Sequence, residues 1–118
     1  MIRLYGINNC DTCRQARNWL TSAGMDFEWH DLDRHGIRPE TVTNWLAKIE
    51  LDTLLNKRSK AWRGLGEVDR ASVLESPAYW MAARVRLIKR PILDTGRDLL
   101  AGFNATQYNL LLSHNPNS

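Results

Sequence analysis

The fold is decided by a stretch near the N-terminus that reads Ile2-Arg3-Leu4-Tyr5-Gly6-Ile7-Asn8-Asn9-Cys10-Asp11-Thr12-Cys13. Its first residues alternate up to Gly6, which predicts a short strand, and the two asparagines favour a loop. From Asp11 to Ala23, apolar residues recur at helical spacing and Gly24 ends the pattern, so a helix is expected there. Cys10 is therefore predicted to lie at the N-terminus of a helix that follows a strand.

The next part of the chain predicts a second strand and then helices. Residues 27–32 alternate again, and a strand that follows a helix in this way is expected to run parallel to the first. Pro39 is well placed to begin a helix. Residues 56–70 read as a basic loop leading into a helix near Glu67, and Pro77 is expected to begin a further helix that continues to Ala83.

The C-terminal third predicts a hairpin and a last helix. Segments 92–94 and 98–103 flank a Thr95-Gly96 turn, and Asn104 is a suitable N-cap for the helix that follows. This order matches a thioredoxin-like α/β fold: a mixed four-stranded sheet flanked by helices, with a helical subdomain inserted at roughly 39–84. The prediction is a single domain over residues 1–118.

Composition is that of an ordinary globular domain. Of 118 residues, 43% are hydrophobic and 25% charged, and no apolar run is long enough for a membrane span. The N-terminus has no secretory signal pattern, so we expect a cytoplasmic protein whose mature chain starts at Met1. The net charge of +3 permits anionic partners. However, the basic stretches lack regular aromatic interleaving, so nucleic acid is not expected as a partner.

The two cysteines form a Cys-X-X-Cys pair at the predicted start of the helix. The unpaired amides and positive dipole there stabilise a thiolate at Cys10, which makes it a candidate nucleophile. Cys13 is then placed to attack an adduct on Cys10 and release it. Arg14 and Arg17 add positive charge, whereas Asp11 opposes it. The alternatives are that Cys13 is a small core residue and that Cys10 is an inert loop residue.

A zinc site is a further alternative, because Cys10, Cys13, His30 and His35 mimic a two-Cys, two-His spacing. A zinc finger places its histidines on a helix, whereas here one lies in a predicted strand and the other in a turn. No metal is therefore predicted. His114 falls on the last predicted helix with no partner visible in the sequence.

Motifs along nearly the whole chain carry a family resemblance: Tyr5-Gly6-Ile7 to Arg14, Asn56-Lys57-Arg58 with Trp62-Arg63, Lys89-Arg90-Pro91-Ile92, and Leu100-Ala101-Gly102-Phe103. On these residues the sequence resembles the arsenate reductase (ArsC)-like family and looks closest to its Spx and YffB branch. The resemblance implies a thioredoxin-like fold in which the peptide before Pro91, usually cis, approaches the cysteine loop. Arg90 would then face Cys10. Without the resemblance, Arg90 would be interpreted as another solvent-exposed basic side chain.

The resemblance implies a cysteine-dependent thiol-disulfide oxidoreductase of the ArsC/YffB type, either a glutathione-dependent thiol reductase or an arsenate reductase-like enzyme. Cys10, Cys13 and Arg90 are its predicted catalytic residues, and the substrate is expected to contact Asn8, Arg14, Arg58 and Pro91. A guanidinium can hold a thiolate, a bound oxyanion or a carboxylate of glutathione by bidentate hydrogen bonds.

The sequence differs from the arsenate-reducing members of the family at two positions that affect the expected substrate. The arsenate-reducing members carry an arginine where this chain has Gly102 and a serine where it has Cys13, which weakens the case for arsenate. No tightly bound cofactor is expected. Glutathione is the expected co-substrate, or else a glutaredoxin- or thioredoxin-type reductant, and the substrate is a disulfide or a small anion. The alternative function is an Spx-like redox-sensing regulator that binds RNA polymerase.

Overall fold

The N-terminal β–α–β segment forms near its predicted boundaries in the computed structural model, which describes residues 1–113. Strand β1 spans Arg3–Gly6, helix α1 spans Asp11–Ser22, and strand β2 spans Glu28–Asp31. The two strands are parallel, with Leu4 opposite Trp29. Strand β2 ends one residue before its predicted end, because the chain turns into a short helix there.

Two further strands complete the sheet as an antiparallel hairpin. Strand β3 spans Ile92–Asp94 and β4 spans Leu99–Ala101, and the strand order is β2-β1-β3-β4. The Asp94 carboxylate accepts a hydrogen bond from the amide of Gly96 at 2.8 Å, and Gly96 adopts a φ of 89° in the turn. One parallel and two antiparallel pairings confirm the predicted mixed four-stranded sheet and its thioredoxin-like arrangement.

One side of the sheet is covered by α1 and by helix α8, which spans Ala105–Ser113. Asn104 caps α8 as predicted, because its side-chain oxygen accepts a hydrogen bond from the amide of Gln107 at 3.0 Å. Buried residues from the sheet and both helices form a single apolar cluster of Leu4, Ala16, Leu20, Leu93, Tyr108 and Leu112. The prediction for His114 lies outside the described residues.

The chain separates into two compact units. The sheet unit consists of Met1–Asp31 and Arg90–Ser118, and the helical unit of Leu32–Lys89. The helical unit contains α2 (Leu32–His35), α3 (Pro39–Leu46), α4 (Leu51–Leu54), α5 (Lys60–Arg63), α6 (Glu67–Glu75), α7 (Pro77–Ala83) and a 3-10 turn over Val85–Leu87. The single domain with an insertion at roughly 39–84 stays a prediction.

Helices α3, α6 and α7 begin where the sequence predicts, with Pro39 and Pro77 at the first positions of α3 and α7. The predicted basic loop differs, because it contains α5. Ser59 caps this helix by accepting a hydrogen bond from the amide of Trp62 at 3.1 Å. Within residues 1–113, no helix is long and apolar enough to cross a membrane.

Candidate active site

Cys10 occupies the N-cap position of α1, as predicted from the sequence. Its backbone is extended, with φ −146° and ψ 117°, and its carbonyl accepts the first helical hydrogen bond, from Arg14, at 3.0 Å. Its sulfur accepts a hydrogen bond from the amide of Cys13 at 3.3 Å. The sulfur of this half-buried residue is therefore held at the N-terminal, positive end of a twelve-residue helix.

Cys13 has a different environment, although both cysteines are free thiols. Only 1% of Cys13 is exposed, and its sulfur lies on the buried face of α1 that also presents Ala16. Burial raises the pKa of the Cys13 thiol to about 12, with a further contribution from Cys10, while a backbone hydrogen bond from Ile7 and the charge of Arg90 oppose the rise. Cys13 is consequently a protonated thiol at neutral pH.

Gly6 makes room for the buried thiol at the end of β1. A Cβ atom at this position would lie 2.6 Å from the sulfur of Cys13 and 2.8 Å from Cη2 of Trp29. The sulfur and the indole therefore both reach the space that a side chain here would fill, which makes them neighbours. Sequence reasoning assigned Gly6 only to the end of a strand and gave Trp29 no role, because a close approach between distant residues leaves no local pattern.

Trp29 also holds the loop that precedes Cys10. Its indole Nε1 donates a hydrogen bond to the side-chain oxygen of Asn8 at 3.1 Å. The guanidinium of Arg17 lies over the indole, with its central carbon 4.4 Å from the ring centroid. Asn8, predicted to bind substrate, is thus an exposed residue whose amide orientation is set from β2.

Arg90 and Pro91 lie at the sheet end where the cysteine loop begins. Because Tyr5 pairs with Ile92 in antiparallel register, the chain before Ile92 runs past the end of β1. The Arg90–Pro91 peptide is cis, as the family resemblance implied, and the carbonyl of Pro91 accepts a hydrogen bond from the amide of Gly102 at 2.8 Å.

The guanidinium of Arg90 has unused hydrogen-bonding capacity. Its Nε and Nη1 atoms are buried, and neither has a hydrogen-bond partner among the described residues. Arg90 lies near enough to Cys13 for its charge to lower the pKa of that thiol, although burial outweighs it. Buried guanidinium nitrogens are normally paired, so two unpaired donors on one arginine are unusual.

The other two predicted arginines are placed differently. Arg14 pairs with the carboxylate of Asp11 at 2.8 Å and has a 60% exposed side chain. Its charge is therefore largely matched within the first turn of α1. Arg58 belongs to the helical unit, in the turn between α4 and α5, where its backbone amide donates to the side-chain oxygen of Asn56 at 3.1 Å. The predicted substrate contacts of both arginines stay predictions.

The histidines of the zinc alternative lie in β2 and α2. The ring of His30 packs against that of Tyr5, with centroids 5.0 Å apart, and His35 ends α2. Among residues 1–113, no group of three or more His, Cys, Asp or Glu side chains is placed to hold a metal ion.

This arrangement of thiols and Arg-Pro peptide agrees with the comparison with known proteins, in which the ArsC family matches residues 5–111. The chain belongs to the ArsC family. It is 37% identical over 109 residues to an uncharacterized protein of Haemophilus influenzae, covering 92% of this chain and 96% of that one. It is 30% identical over 115 residues to the global transcriptional regulator Spx 1 of Lactococcus lactis, covering 95% and 89% of the two chains.

Solved structures give the same assignment for this ArsC-family protein. A YffB protein is 33% identical with a TM-score of 0.88, and the match covers 93% of this chain and 97% of that one. An arsenate reductase (ArsC)-related protein from Brucella melitensis is 35% identical with a TM-score of 0.72, covering 94% and 93%. The predicted resemblance to the ArsC-like family and its Spx and YffB branch is confirmed, and with it the thiol-oxidoreductase fold of the family.

Proposed function

We propose that this ArsC-family protein is a glutathione-dependent thiol-disulfide oxidoreductase in which Cys10 is the nucleophile and Arg90 holds an anionic group of the substrate. The observation that carries the proposal is the pair of buried, unpartnered nitrogens of Arg90, at the sheet end where the cysteine loop begins. A nucleophilic sulfur and a guanidinium with unpartnered donors are suited to a thiol compound that bears a carboxylate.

In the first step, the Cys10 thiolate attacks the glutathione sulfur of a mixed disulfide. A bond forms between Cys10 and glutathione, the original disulfide bond breaks, and the other thiol leaves as a thiolate that takes a proton from water. Arg90 receives a carboxylate of glutathione in this step, with Asn8, Arg14, Arg58 and Pro91 as further proposed contacts. Reduced Cys10 is then restored from its adduct.

Two routes can restore Cys10. In one, the thiolate of a second glutathione attacks the adduct, which releases glutathione disulfide and regenerates the Cys10 thiolate. In the other, Cys13 loses its proton and attacks Cys10, forming an internal disulfide and releasing glutathione. That disulfide then needs two electrons from glutathione or from a glutaredoxin- or thioredoxin-type dithiol. Because Cys13 is buried and protonated, the first route is expected to dominate when glutathione is abundant.

The substrate is more consistent with a disulfide than with arsenate. Gly102 stands where the arsenate-reducing members have a further arginine, and its backbone amide is bound to Pro91. A tetrahedral oxyanion is held best by several converging positive groups. Thiol exchange of this kind requires a reducing compartment, so we place the protein in the cytoplasm.

The test is turnover of the mixed disulfide of glutathione and 2-mercaptoethanol, followed as glutathione disulfide formation. Cys10→Ser is expected to abolish turnover, because it removes the nucleophile, whereas Cys13→Ser is expected to retain it when glutathione is in excess. Circular dichroism checks that both variants fold. Exchange that survives in Cys10→Ser, or a wild-type protein without turnover, would overturn the proposal.

A redox-sensing regulator is the second candidate, favoured by the 30% identity to Spx 1 over 95% of this chain. In that function, formation of the Cys10–Cys13 disulfide would change binding to RNA polymerase, and the pair would act as a switch instead of a catalyst. The distinguishing measurement is pull-down of RNA polymerase by the reduced and the oxidised protein. Binding that depends on oxidation, in a protein with no disulfide turnover, would favour the regulator.

A further inference from the structure

Trp29 is fixed on three sides beside the cysteine loop. The tip of its indole fills the space over Gly6, Arg17 covers one face, and its Nε1 donates to Asn8 at 3.1 Å. The first two contacts would be available to any aromatic ring. The third needs an indole and falls on an exposed asparagine two residues before Cys10, so it calls for an explanation other than packing.

The chemistry of the indole determines which end of the Asn8 amide it binds. An indole N–H can only donate, so it selects the side-chain oxygen of Asn8 and leaves the amide nitrogen on the opposite side. That nitrogen carries two hydrogens, and it donates no hydrogen bond to any of residues 1–113. Trp29 thereby presents Asn8 as a hydrogen-bond donor at the entrance to the cysteine loop.

We propose that Asn8 donates a hydrogen bond to an anionic oxygen of the molecule that reacts with Cys10, and that Trp29 is the positioning residue that keeps its amide in the donating orientation. The proposal rests on the function proposed above and adds a specificity determinant to it. Together with Arg90, it makes the site selective for reagents that carry an anionic oxygen near the reacting sulfur or carbon.

The test compares alkylation of Cys10 by iodoacetate, which is an anion, with alkylation by neutral iodoacetamide, each measured by mass spectrometry of the intact chain. The ratio of the two rates cancels changes in the reactivity of the thiol itself. We expect Asn8→Ala to lower the iodoacetate-to-iodoacetamide ratio about threefold to tenfold, the value of one hydrogen bond to a charged oxygen at a partly exposed site.

Trp29→Phe keeps an aromatic ring over Gly6 but removes the indole donor, so it is expected to lower the ratio in the same direction. The double variant is expected to fall no lower than Asn8→Ala alone, because both changes remove one interaction. Trp80→Phe is the matched control, since Trp80 also donates from Nε1, to Ser72 at 2.9 Å, and also lies under an arginine, but in the helical unit. It should leave the ratio unchanged.

The outcomes separate this inference from the proposed function, because alkylation needs no turnover. An unchanged ratio in Asn8→Ala, or additive effects of the two changes, would overturn the inference even in a protein that turns over mixed disulfides. If Trp29→Phe fails to fold, Trp29→Tyr takes its place, because tyrosine also keeps an aromatic ring and lacks the indole donor. A ratio that stays at the wild-type value in that variant contradicts the positioning role of Trp29.

Discussion

The sheet unit and the helical unit differ in how completely their buried polar side chains are hydrogen-bonded. In the helical unit, Trp80 donates to Ser72, and Arg70 donates to the backbone carbonyls of Trp62 and Arg63. In the sheet unit, two nitrogens of Arg90 and the hydroxyl of Tyr108 are buried without partners, and these are all such atoms among the described residues. Unpaired buried polar atoms cost stability, and among the described residues this cost falls on the sheet unit alone.

The largest effect on activity is expected when one arginine is replaced in each unit. Arg90→Met is expected to lower kcat/KM for the glutathione mixed disulfide about 10-fold to 100-fold, because charge-assisted hydrogen bonds to the substrate are lost. Arg86→Met is the control, since Arg86 pairs with Asp33 at 2.7 Å on an exposed surface. It should change the free energy of unfolding by less than about 1 kcal/mol and leave the rate unchanged.

Arg90→Lys refines the result. A lysine keeps the charge but not the bidentate geometry, so it should recover only part of the lost rate. Equal rates for wild type and Arg90→Met, measured with saturating glutathione, would show that the unpartnered nitrogens do not serve the substrate.

The next largest effect is expected on the free energy of unfolding, when one glycine in each unit is replaced by alanine. Gly6→Ala would force a methyl group to within 2.6 Å of the Cys13 sulfur, so it should lower the free energy of unfolding by about 1–3 kcal/mol. Gly66→Ala is the matched control, because Gly66 has an ordinary φ of −79° and no atom within 4 Å of the added methyl. Urea unfolding measures both, and similar losses for the two variants would contradict the crowding at Gly6.

How far the sequence predicts this site depends on the range of each interaction. The Cys10 N-cap follows from a local strand-loop-helix pattern, and it is found as predicted. The pairing of Arg14 with Asp11 is also local, at i and i+3, and the sequence contains enough to predict it, while the contact of Arg14 with substrate stays a prediction.

Contacts between distant segments are different. The Gly6 gap and the Trp29–Asn8 hydrogen bond join β1, its loop and β2, and depend on strand register to within one residue. Alternation predicts that these strands pair but not which residues meet. Helix α5 was not predicted, for another reason. Serine is a common N-cap residue and Ser59 caps this helix, but the basic residues around it favoured a loop.

Raising the pH tests the buried thiol of the sheet unit. The pKa of Cys13 in the folded protein, about 12, exceeds its ordinary value of 9.0, so the unfolded chain loses this proton first. The stabilisation is therefore complete below about pH 9 and is lost as the pH rises toward 12. Burial also raises the pKa of Tyr108, which acts in the same direction above about pH 10.

Cys13→Ser removes the thiol contribution, because serine does not titrate in this range. The free energy of unfolding should fall more steeply above pH 9 in wild type than in Cys13→Ser, when both are measured by urea unfolding at a series of pH values. Parallel curves for the two proteins would contradict the burial of a protonated thiol.

The smallest expected effect contrasts a partnered and an unpartnered polar group. Ser72→Ala removes the acceptor for Trp80 in the helical unit and should cost about 1 kcal/mol, because the indole donor loses its partner. Tyr108→Phe removes a hydroxyl that has no hydrogen-bond partner among the described residues, and it keeps the ring contacts with Trp19 and Phe103. The free energy of unfolding should stay the same or rise slightly, because the substitution removes only the cost of burying an unpaired hydroxyl. A loss as large as that of Ser72→Ala would mean that Tyr108 has a partner in solution, and the contrast between the two units would then rest on Arg90 alone.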